Sequence, residues 1–182
     1  FALEQLHKQG RAEATEQRWR ETLTEYAKQW HAKSSSDESR LRLQLELEAL
    51  SEIARGAGET ACWAALIAGP MLQRLGSPNA ARDILKHAAD RCDDPELKSR
   101  LNIAYALALV HIDPAGAEKV LGNVPQDSPL YIEAILALGQ TYQNRGNGKM
   151  MAELLHELER RDDLSPLHRG RISAGLGNAS LM

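Results

Sequence analysis

Apolar residues recur at helical spacing through most of the chain, and short segments rich in glycine or proline interrupt them. The clearest case is residues 130–158, where Gly146-Asn147-Gly148 separates two short apolar runs. The spaced positions are Ile135, Leu138, Gly139 and Tyr142 before the break, and Met151, Leu155 and Leu158 after it. This pattern predicts a helical hairpin. Because one hairpin of this size cannot bury its own apolar faces, we expect similar hairpins on either side.

The hairpin pattern recurs at intervals of 34 to 36 residues. Aligning Gly139 with Gly69 places Leu155 on Leu85. The middle unit fits more loosely, with apolar positions at Leu101, Ala104, Ala108, Ala117, Leu121 and Val124. The predicted units begin near Cys62, Lys98 and Ile132, which are 36 and 34 residues apart. We therefore predict three helical repeats over residues 59–166.

These units resemble the tetratricopeptide repeat, a helix-turn-helix of about 34 residues. The third unit carries the best match, through Leu138-Gly139, Tyr142 and Gly146. The resemblance covers roughly residues 60–166. It implies an all-α fold, a right-handed α-solenoid of antiparallel helix pairs.

The first two units depart from the family pattern. In the first, Pro70 follows Gly69 inside the expected first helix. In the second, Tyr105 replaces a small residue and Ile112 replaces the turn glycine. Such a resemblance specifies a fold better than it specifies a function.

Proline positions support the same register. Five dipeptides place a serine or aspartate before proline, the signature of a helix N-cap followed by the first helical residue. They are Ser77-Pro78, Asp94-Pro95, Asp113-Pro114, Ser128-Pro129 and Ser165-Pro166. The first four are 17, 19 and 15 residues apart, about half a repeat each. The remaining start, near Gly146, uses glycine and asparagine instead, so we expect helices to begin at all these places.

Residues 1–58 are predicted to form an N-terminal hairpin of long helices, either a diverged repeat or a cap. The first helix spans Ala2 to Lys33, with Gly10 as an interruption, and it carries an aromatic stripe of Trp19, Tyr26 and Trp30. Ser35 and Glu38 then have the spacing of a capping box for the next helix.

The segment from Leu41 to Leu50 alternates apolar and polar residues as a half-buried strand does. Its residues are nevertheless helix formers, no β-branched residue precedes Ile53, and no second such run exists to pair with it. We therefore predict a helix that ends before Gly56-Ala57-Gly58. Its shared apolar face would hold Leu43, Leu47, Leu50 and Ala54.

Residues 167–182 begin as another first helix and are expected to lose helical order at Gly175, Gly177 and Asn178, as a truncated unit. The chain opens at Phe1 rather than methionine. We therefore expect it to be a fragment of a larger protein.

Composition agrees with closely packed helices, because aromatic residues make up only 4% of the chain. The net charge is −3 and both signs are interspersed, so no basic patch predicts binding to nucleic acid. The longest apolar run, Ile103 to Val110, is too short to span a bilayer. We expect no membrane insertion.

Candidate catalytic and metal-binding residues are sparse. The six histidines have no ligand spacing, and Glu157, Glu159, Asp162 and Asp163 fit a solvated face. No phosphate loop or nucleophile elbow is present. We therefore expect no enzyme activity, metal or cofactor. Cys62 and Cys92 lie at the two ends of one predicted hairpin, and we expect buried free thiols, with a disulfide as the alternative.

In the resembled family, the first helices line a concave groove that binds extended peptides or helices. Carried over position by position, the groove residues are Trp63, Leu66, Gln73, Arg74, Asn102, Ala106, Leu109, Glu133, Leu136, Gln140, Gln143 and Asn144. Their amides can donate to and accept from a peptide main chain. The alternative for Leu66, Leu109 and Leu136 is packing between neighbouring units. Arg74 is the single cation of the set, which argues against a clamp for a terminal carboxylate.

The resemblance thus implies a scaffold that binds a protein or peptide partner within a larger protein. One alternative is a sensor or regulatory repeat domain of a signalling ATPase or transcription activator. Another is self-association into a homo-oligomer through the aromatic stripe or the truncated C-terminal helix.

Overall fold

The computed structural model describes residues 12–32 and 36–181. Within these residues the chain is all-α, with ten helices and no strand. The helices are α1 (Ala12–His31), α2 (Asp37–Leu45), α3 (Leu47–Ala54), α4 (Glu59–Arg74), α5 (Pro78–Arg91), α6 (Pro95–Leu109), α7 (Pro114–Gly122), α8 (Tyr131–Asn144), α9 (Gly148–Glu159) and α10 (Pro166–Ala179). No helix in the described ranges is long and apolar enough to cross a membrane.

Four of these ten helices begin at a proline, as predicted. Three of the four have a side-chain N-cap, because Asp94, Asp113 and Ser165 each accept a hydrogen bond from a main-chain N–H of the first turn. Ser77 stands at the N-cap of α5 but its side chain makes no such bond. The start near Gly146 is capped by Asn147, which accepts from the N–H of Met150 at 3.2 Å.

The prediction that Ser128-Pro129 begins a helix is wrong, because α8 begins at Tyr131. The N–H of Tyr131 donates to the Ser128 carbonyl at 3.0 Å, which closes a turn around Pro129. The Ser128 hydroxyl accepts from the N–H of Leu130 at 3.2 Å within that turn. The serine therefore stabilises the turn before the helix.

The turns after α4 and α8 have the same geometry. Gly76 and Gly146 have φ angles of 80° and 68°, a left-handed conformation that favours glycine. The next residue donates back into the helix, from Ser77 to the Leu72 carbonyl and from Asn147 to the Tyr142 carbonyl, both at 2.9 Å. These are the hydrogen bonds of a Schellman motif. The turn after α6 has no left-handed residue, which fits Ile112 at the glycine position.

The helices pack in a repeat-like order. Each helix from α3 to α10 contacts the next along the chain, and α4, α6, α8 and α10 also contact one another in series. Buried side chains form two apolar clusters, one mainly from α1 to α6 and one from α6 to α10. Tyr105 of α6 packs against both clusters. The first helices of the predicted pairs therefore form one continuous row.

In two of the hairpins, a glycine of the first helix packs on a leucine of the second. Gly69 of α4 packs on Leu85 of α5, and Gly139 of α8 packs on Leu155 of α9. A glycine lets two helices approach because it has no Cβ. The sequence alignment had matched Gly69 with Gly139 and Leu85 with Leu155, so the two contacts are at equivalent positions.

The N-terminal region is helical, as predicted, but it is divided differently. The helix expected over Ala2 to Lys33 is described as α1, while residues 1–11, with Gly10, and 33–35, with Ser35, lie outside the described residues. The next helix is capped by Ser36, whose hydroxyl accepts from the N–H of Ser39 at 3.2 Å. The Ser35–Glu38 capping box is therefore wrong, and Glu38 instead accepts from Arg42 on the helix surface.

The segment from Leu41 to Leu50 is helical, but it is not one helix. The helix is interrupted at Glu46, which is the C-cap of α2 and the N-cap of α3. The alternating leucines separate by helical position, since Leu43 is 3% exposed while Leu41 and Leu45 are 59% and 75% exposed. Four residues after Leu43, Leu47 packs against the first apolar cluster, with Leu50 and Ala54 buried beside it. The predicted apolar face is confirmed.

The expectation that helical order ends at Gly175 is wrong. Helix α10 continues to Ala179, with Gly175, Gly177 and Asn178 inside it. A Cβ on Gly175 would lie 2.6 Å from a methyl group of Leu155. The glycine is therefore a packing residue that allows α10 to lie close to α9.

Candidate functional site

The best candidate for a binding site is a cleft of about 220 Å³ between α8 and α10, with α9 beneath it. Its floor is formed by Leu136, Gly139, Met151, Leu155, Ala174 and Gly175. Its rim is formed by Gln140, Gln143, Arg171 and Asn178. We call this site the α8–α10 cleft.

The cleft exists because two glycines face the same leucine. A Cβ added to Gly139 would still lie 3.6 Å from Leu155, whereas Gly175 brings α10 directly onto that side chain. Space therefore remains above Leu155 on the Gly139 side, beside Met151, while the Gly175 side is closely packed. An apolar group of modest size can enter this space.

The amides of the rim have no partners among the described residues. Gln140 is exposed and Gln143 is half-buried, and neither makes a side-chain hydrogen bond with any other described residue. The same holds for the side-chain amide of Asn178. Each amide offers two donors and an acceptor. The rim can therefore bind a main chain whose apolar side chain enters the floor.

An ionic network lies beside the cleft and shares Arg171 with it. Glu133 of α8 lies 2.8 Å from the Arg171 guanidinium and 3.1 Å from the His168 ring of α10. Burial raises the pKa of the Glu133 carboxyl, but hydrogen bonds from Arg171 and His168 outweigh this and hold the pKa below its ordinary value. The network fixes α10 against α8 and places Arg171 at the rim.

Two predicted groove residues of the first unit have partners within the protein. The Gln73 amide donates to the Leu107 carbonyl at 3.1 Å, which links α4 to the end of α6. The Trp63 indole N–H donates to Glu59 at 3.2 Å, and the Lys28 ammonium lies 4.7 Å above its ring. Both side chains therefore contribute to contacts between helices.

The apolar groove candidates lie in or against the core. Ala106, Leu109 and Leu136 are buried, and Leu66 packs partly buried against the first apolar cluster. Of these, Leu136 also lines the α8–α10 cleft. The packing role that the sequence left open for the leucines therefore applies to all three, and Leu136 combines it with a place in the cleft.

The remaining groove candidates are dispersed. Asn102 is half-buried on α6, and Asn144 is exposed at the end of α8, outside the cleft lining. Arg74 lies at a separate cavity between α1, α2 and α4. The structure therefore brings Leu136, Gln140 and Gln143 together, with Glu133 beside them, and leaves the other predicted residues elsewhere.

Sequence reasoning missed Met151, Arg171, Gly175 and Asn178 as parts of the site. Three of them belong to α10, which was expected to lose its helical order. The spacing of Arg171, Gly175 and Asn178 is helical, so the same periodicity used for the other helices would have placed them on one face.

The two cysteines are free and buried. Burial, and then hydrogen bonding with Cys92, raise the pKa of the Cys62 thiol to about 12. The Cys62 thiol therefore stays protonated at neutral pH, which disfavours a nucleophilic role. Across the described residues, no three His, Cys, Asp or Glu side chains meet as a metal site.

The aromatic stripe of α1 is only partly open. The rings of Tyr26 and Trp30 meet edge to face at 6.1 Å, and the Arg42 guanidinium lies 4.5 Å above the Trp30 ring. Trp19, in contrast, is 51% exposed. Arg42 therefore covers the part of the stripe nearest the core.

Comparison of the chain with protein-family models, with curated proteins and with solved structures finds no significant match.

Proposed function

We propose that this chain is a protein-interaction module of the tetratricopeptide-like class, which binds an extended peptide segment of a partner protein. The binding site is the α8–α10 cleft. The observation that carries the proposal is the set of rim amides, Gln140, Gln143 and Asn178, which lack partners among the described residues and surround an apolar floor.

The peptide would bind through both parts of the cleft. An apolar side chain would occupy the floor over Leu155 and Met151, where Gly139 leaves space. The main chain on either side would exchange hydrogen bonds with the rim amides, which can both donate and accept. An acidic group near Arg171 would add a charge-assisted bond.

The proposed architecture is a right-handed solenoid in which α4, α6, α8 and α10 line the concave side. Support comes from the serial contacts among these four helices and from the matching turns after α4 and α8. In such an array a peptide that is anchored in the α8–α10 cleft can extend along the row, past Asn102 of α6.

The test is a peptide selection on the immobilised chain from a displayed random library, followed by fluorescence anisotropy with the selected peptide. The Gln140→Ala/Gln143→Ala variant should bind that peptide about tenfold more weakly, since two hydrogen bonds are removed. Circular dichroism should show an unchanged helical signal, because neither side chain packs in the core.

Asn144→Ala is the matched control, because it removes an amide from the same helix but outside the cleft. It should leave the affinity unchanged. The proposal is wrong if the selected peptide binds the double variant as tightly as the parent chain. It is also wrong if the selection yields no peptide.

A further inference from the structure

A second cavity, of about 170 Å³, lies between α1, α2 and α4. Its floor is apolar and formed by Leu43, Ile67, Pro70 and Met71. Leu43 and Ile67 are only 3% and 1% exposed, so the cavity reaches the core of the first apolar cluster. We call it the α1–α2–α4 cavity.

The mouth of the cavity is basic. Its ionisable lining groups are His31, Arg40 and Arg74, and no acidic side chain of the described residues lines it. Gln44 and Leu75 complete the wall. An apolar cavity with positive charge at its opening complements a ligand that carries one negative charge on an apolar body.

Arg74 is the cation best placed for such a ligand. Arg40 lies 2.5 Å from the Asp37 carboxylate in an exposed pair. Arg74 makes no hydrogen bond or ion pair through its side chain with any residue in the described part of the chain. It is the last residue of α4, so its guanidinium is available to a carboxylate without breaking an internal bond.

His31 contributes a neutral ring. Burial lowers the pKa of His31, and the positive charge of Arg74 lowers it further. The lowered pKa favours the uncharged ring, one nitrogen of which carries an N–H that can donate to a bound anion.

The size of the cavity limits the apolar body. An apolar cavity of about 150 Å³ is large enough for benzene. The α1–α2–α4 cavity is therefore large enough for one phenyl-sized group.

We propose that the α1–α2–α4 cavity binds a small aromatic carboxylate. The ring packs on Leu43, Ile67 and Met71, and the carboxylate accepts hydrogen bonds from Arg74 and His31. This site is separate from the α8–α10 cleft and does not depend on peptide binding there.

Methionine methyl groups offer a direct test, because Met71 lines this cavity and Met151 lines the α8–α10 cleft. The chain would be labelled with 13C at the methionine methyl groups and titrated with phenylacetate. We expect a saturable shift of the Met71 methyl signal from the ring current of the phenyl group, with Met151 unmoved.

Two probes of similar shape separate charge from size. Phenylacetamide is neutral and 2-phenylethylammonium is positive, so both should bind at least tenfold more weakly than phenylacetate. Equal binding of phenylacetate and phenylacetamide would overturn the proposal, because the basic mouth would then have no role. So would a phenylacetate titration that leaves Met71 unmoved or moves Met151 instead.

Arg74→Met tests the proposed anion partner, and Arg91→Met is its control. Arg91 is likewise exposed and is the last residue of its helix, α5. Arg74→Met should weaken phenylacetate binding about tenfold or more, while Arg91→Met leaves it unchanged. An unchanged affinity in folded Arg74→Met would remove the basis of the proposed site.

Discussion

The first hairpin, α4–α5, and the third, α8–α9, use the same turn and the same glycine–leucine contact, but at different distances. A Cβ on Gly69 would lie 2.6 Å from two atoms of Leu85, whereas a Cβ on Gly139 would lie 3.6 Å from Leu155. The first contact is therefore closed and the third leaves space. That space belongs to the α8–α10 cleft, so one packing motif supports a sealed core in one place and a candidate site in another.

The contact with the next first helix also differs between the two hairpins. Glu133 of α8 pairs with His168 and Arg171 of α10. At the matching position of α4, Trp63 shares a cavity with Leu97 and Arg100 of α6. The junction after the third hairpin therefore has an ion pair at this position, while the junction after the first has an aromatic ring beside a cavity. Equivalent positions in the two hairpins therefore place different chemistry beside the next first helix.

The largest expected effect comes from the leucines under the two glycines. Leu85→Ala and Leu155→Ala should each lower the free energy of unfolding by about 2–5 kcal/mol. Leu85→Ala should cost more, because Gly69 closes tightly on Leu85 while Leu155 borders an existing cleft. Urea unfolding followed by circular dichroism measures both. A larger loss for Leu155→Ala would contradict the comparison.

Alanine at the glycines should act in opposite directions. Gly69→Ala should destabilise the chain by about 1–3 kcal/mol, because its Cβ would overlap Leu85 in a packed core. Gly139→Ala should stabilise it by about 0.5–1 kcal/mol, because the Cβ has room and alanine favours the helix. The two unfolding curves should lie on opposite sides of the parent curve. Shifts of the same sign would remove the distinction between closed and open contacts.

Alanine at the N-cap residues that follow the two turns should have unequal effects on the free energy of unfolding. Asn147→Ala should destabilise the chain by about 1 kcal/mol, because Asn147 accepts from the Met150 N–H. Ser77→Ala should change the free energy of unfolding by only about a few tenths of a kcal/mol, since the Ser77 side chain makes no cap bond. Thermal unfolding of the pair checks this. Equal losses would show that both side chains cap their helices.

The smallest effect is expected from the ionic junction. Since the pKa of Glu133 is lowered on folding, its contribution is present above the unfolded pKa of about 4.3 and is lost as the pH falls through the folded value. The Glu133 side chain is 41% exposed, so solvent screening limits the contribution to below about 1 kcal/mol. Glu133→Gln should therefore be less stable than the parent chain at about pH 7.

The control is the same pair of proteins measured at about pH 3.5. The difference in their free energies of unfolding should shrink there, because at this pH the unfolded carboxyl is already largely protonated and the contribution of Glu133 falls with the pH. A difference that stays constant between the two pH values would show that Glu133 acts through packing rather than charge.

Local signals predicted most of the helices. Proline with a preceding serine or aspartate marked the starts of α5, α6, α7 and α10, because the cap and the missing N–H act within one turn. Glycine marked the ends of α4 and α8, since only a left-handed residue closes those turns readily. Where the same dipeptide failed, at Ser128-Pro129, a turn to Tyr131 competed for the main-chain bonds.

The candidate site was predictable only in part. Leu136, Gln140 and Gln143 were predicted as groove residues through the resemblance to the tetratricopeptide repeat. Arg171, Gly175 and Asn178 reach the same cleft because α10 packs on α8 and α9, a contact between segments far apart in sequence. The glycines of α10 suggested disorder locally, but the proximity of Leu155 makes Gly175 a packing residue.

The amino-acid pattern alone predicted the all-α class, the turns after α4 and α8, and the equivalence of the first and third hairpins. The physical reason is that helix periodicity, capping and turn formation depend on residues within a few positions of one another. Packing between helices sets which glycine contact is tight and which is open, and which cations face an apolar cavity. Those outcomes depend on distances between helices, which the pattern of one helix does not contain.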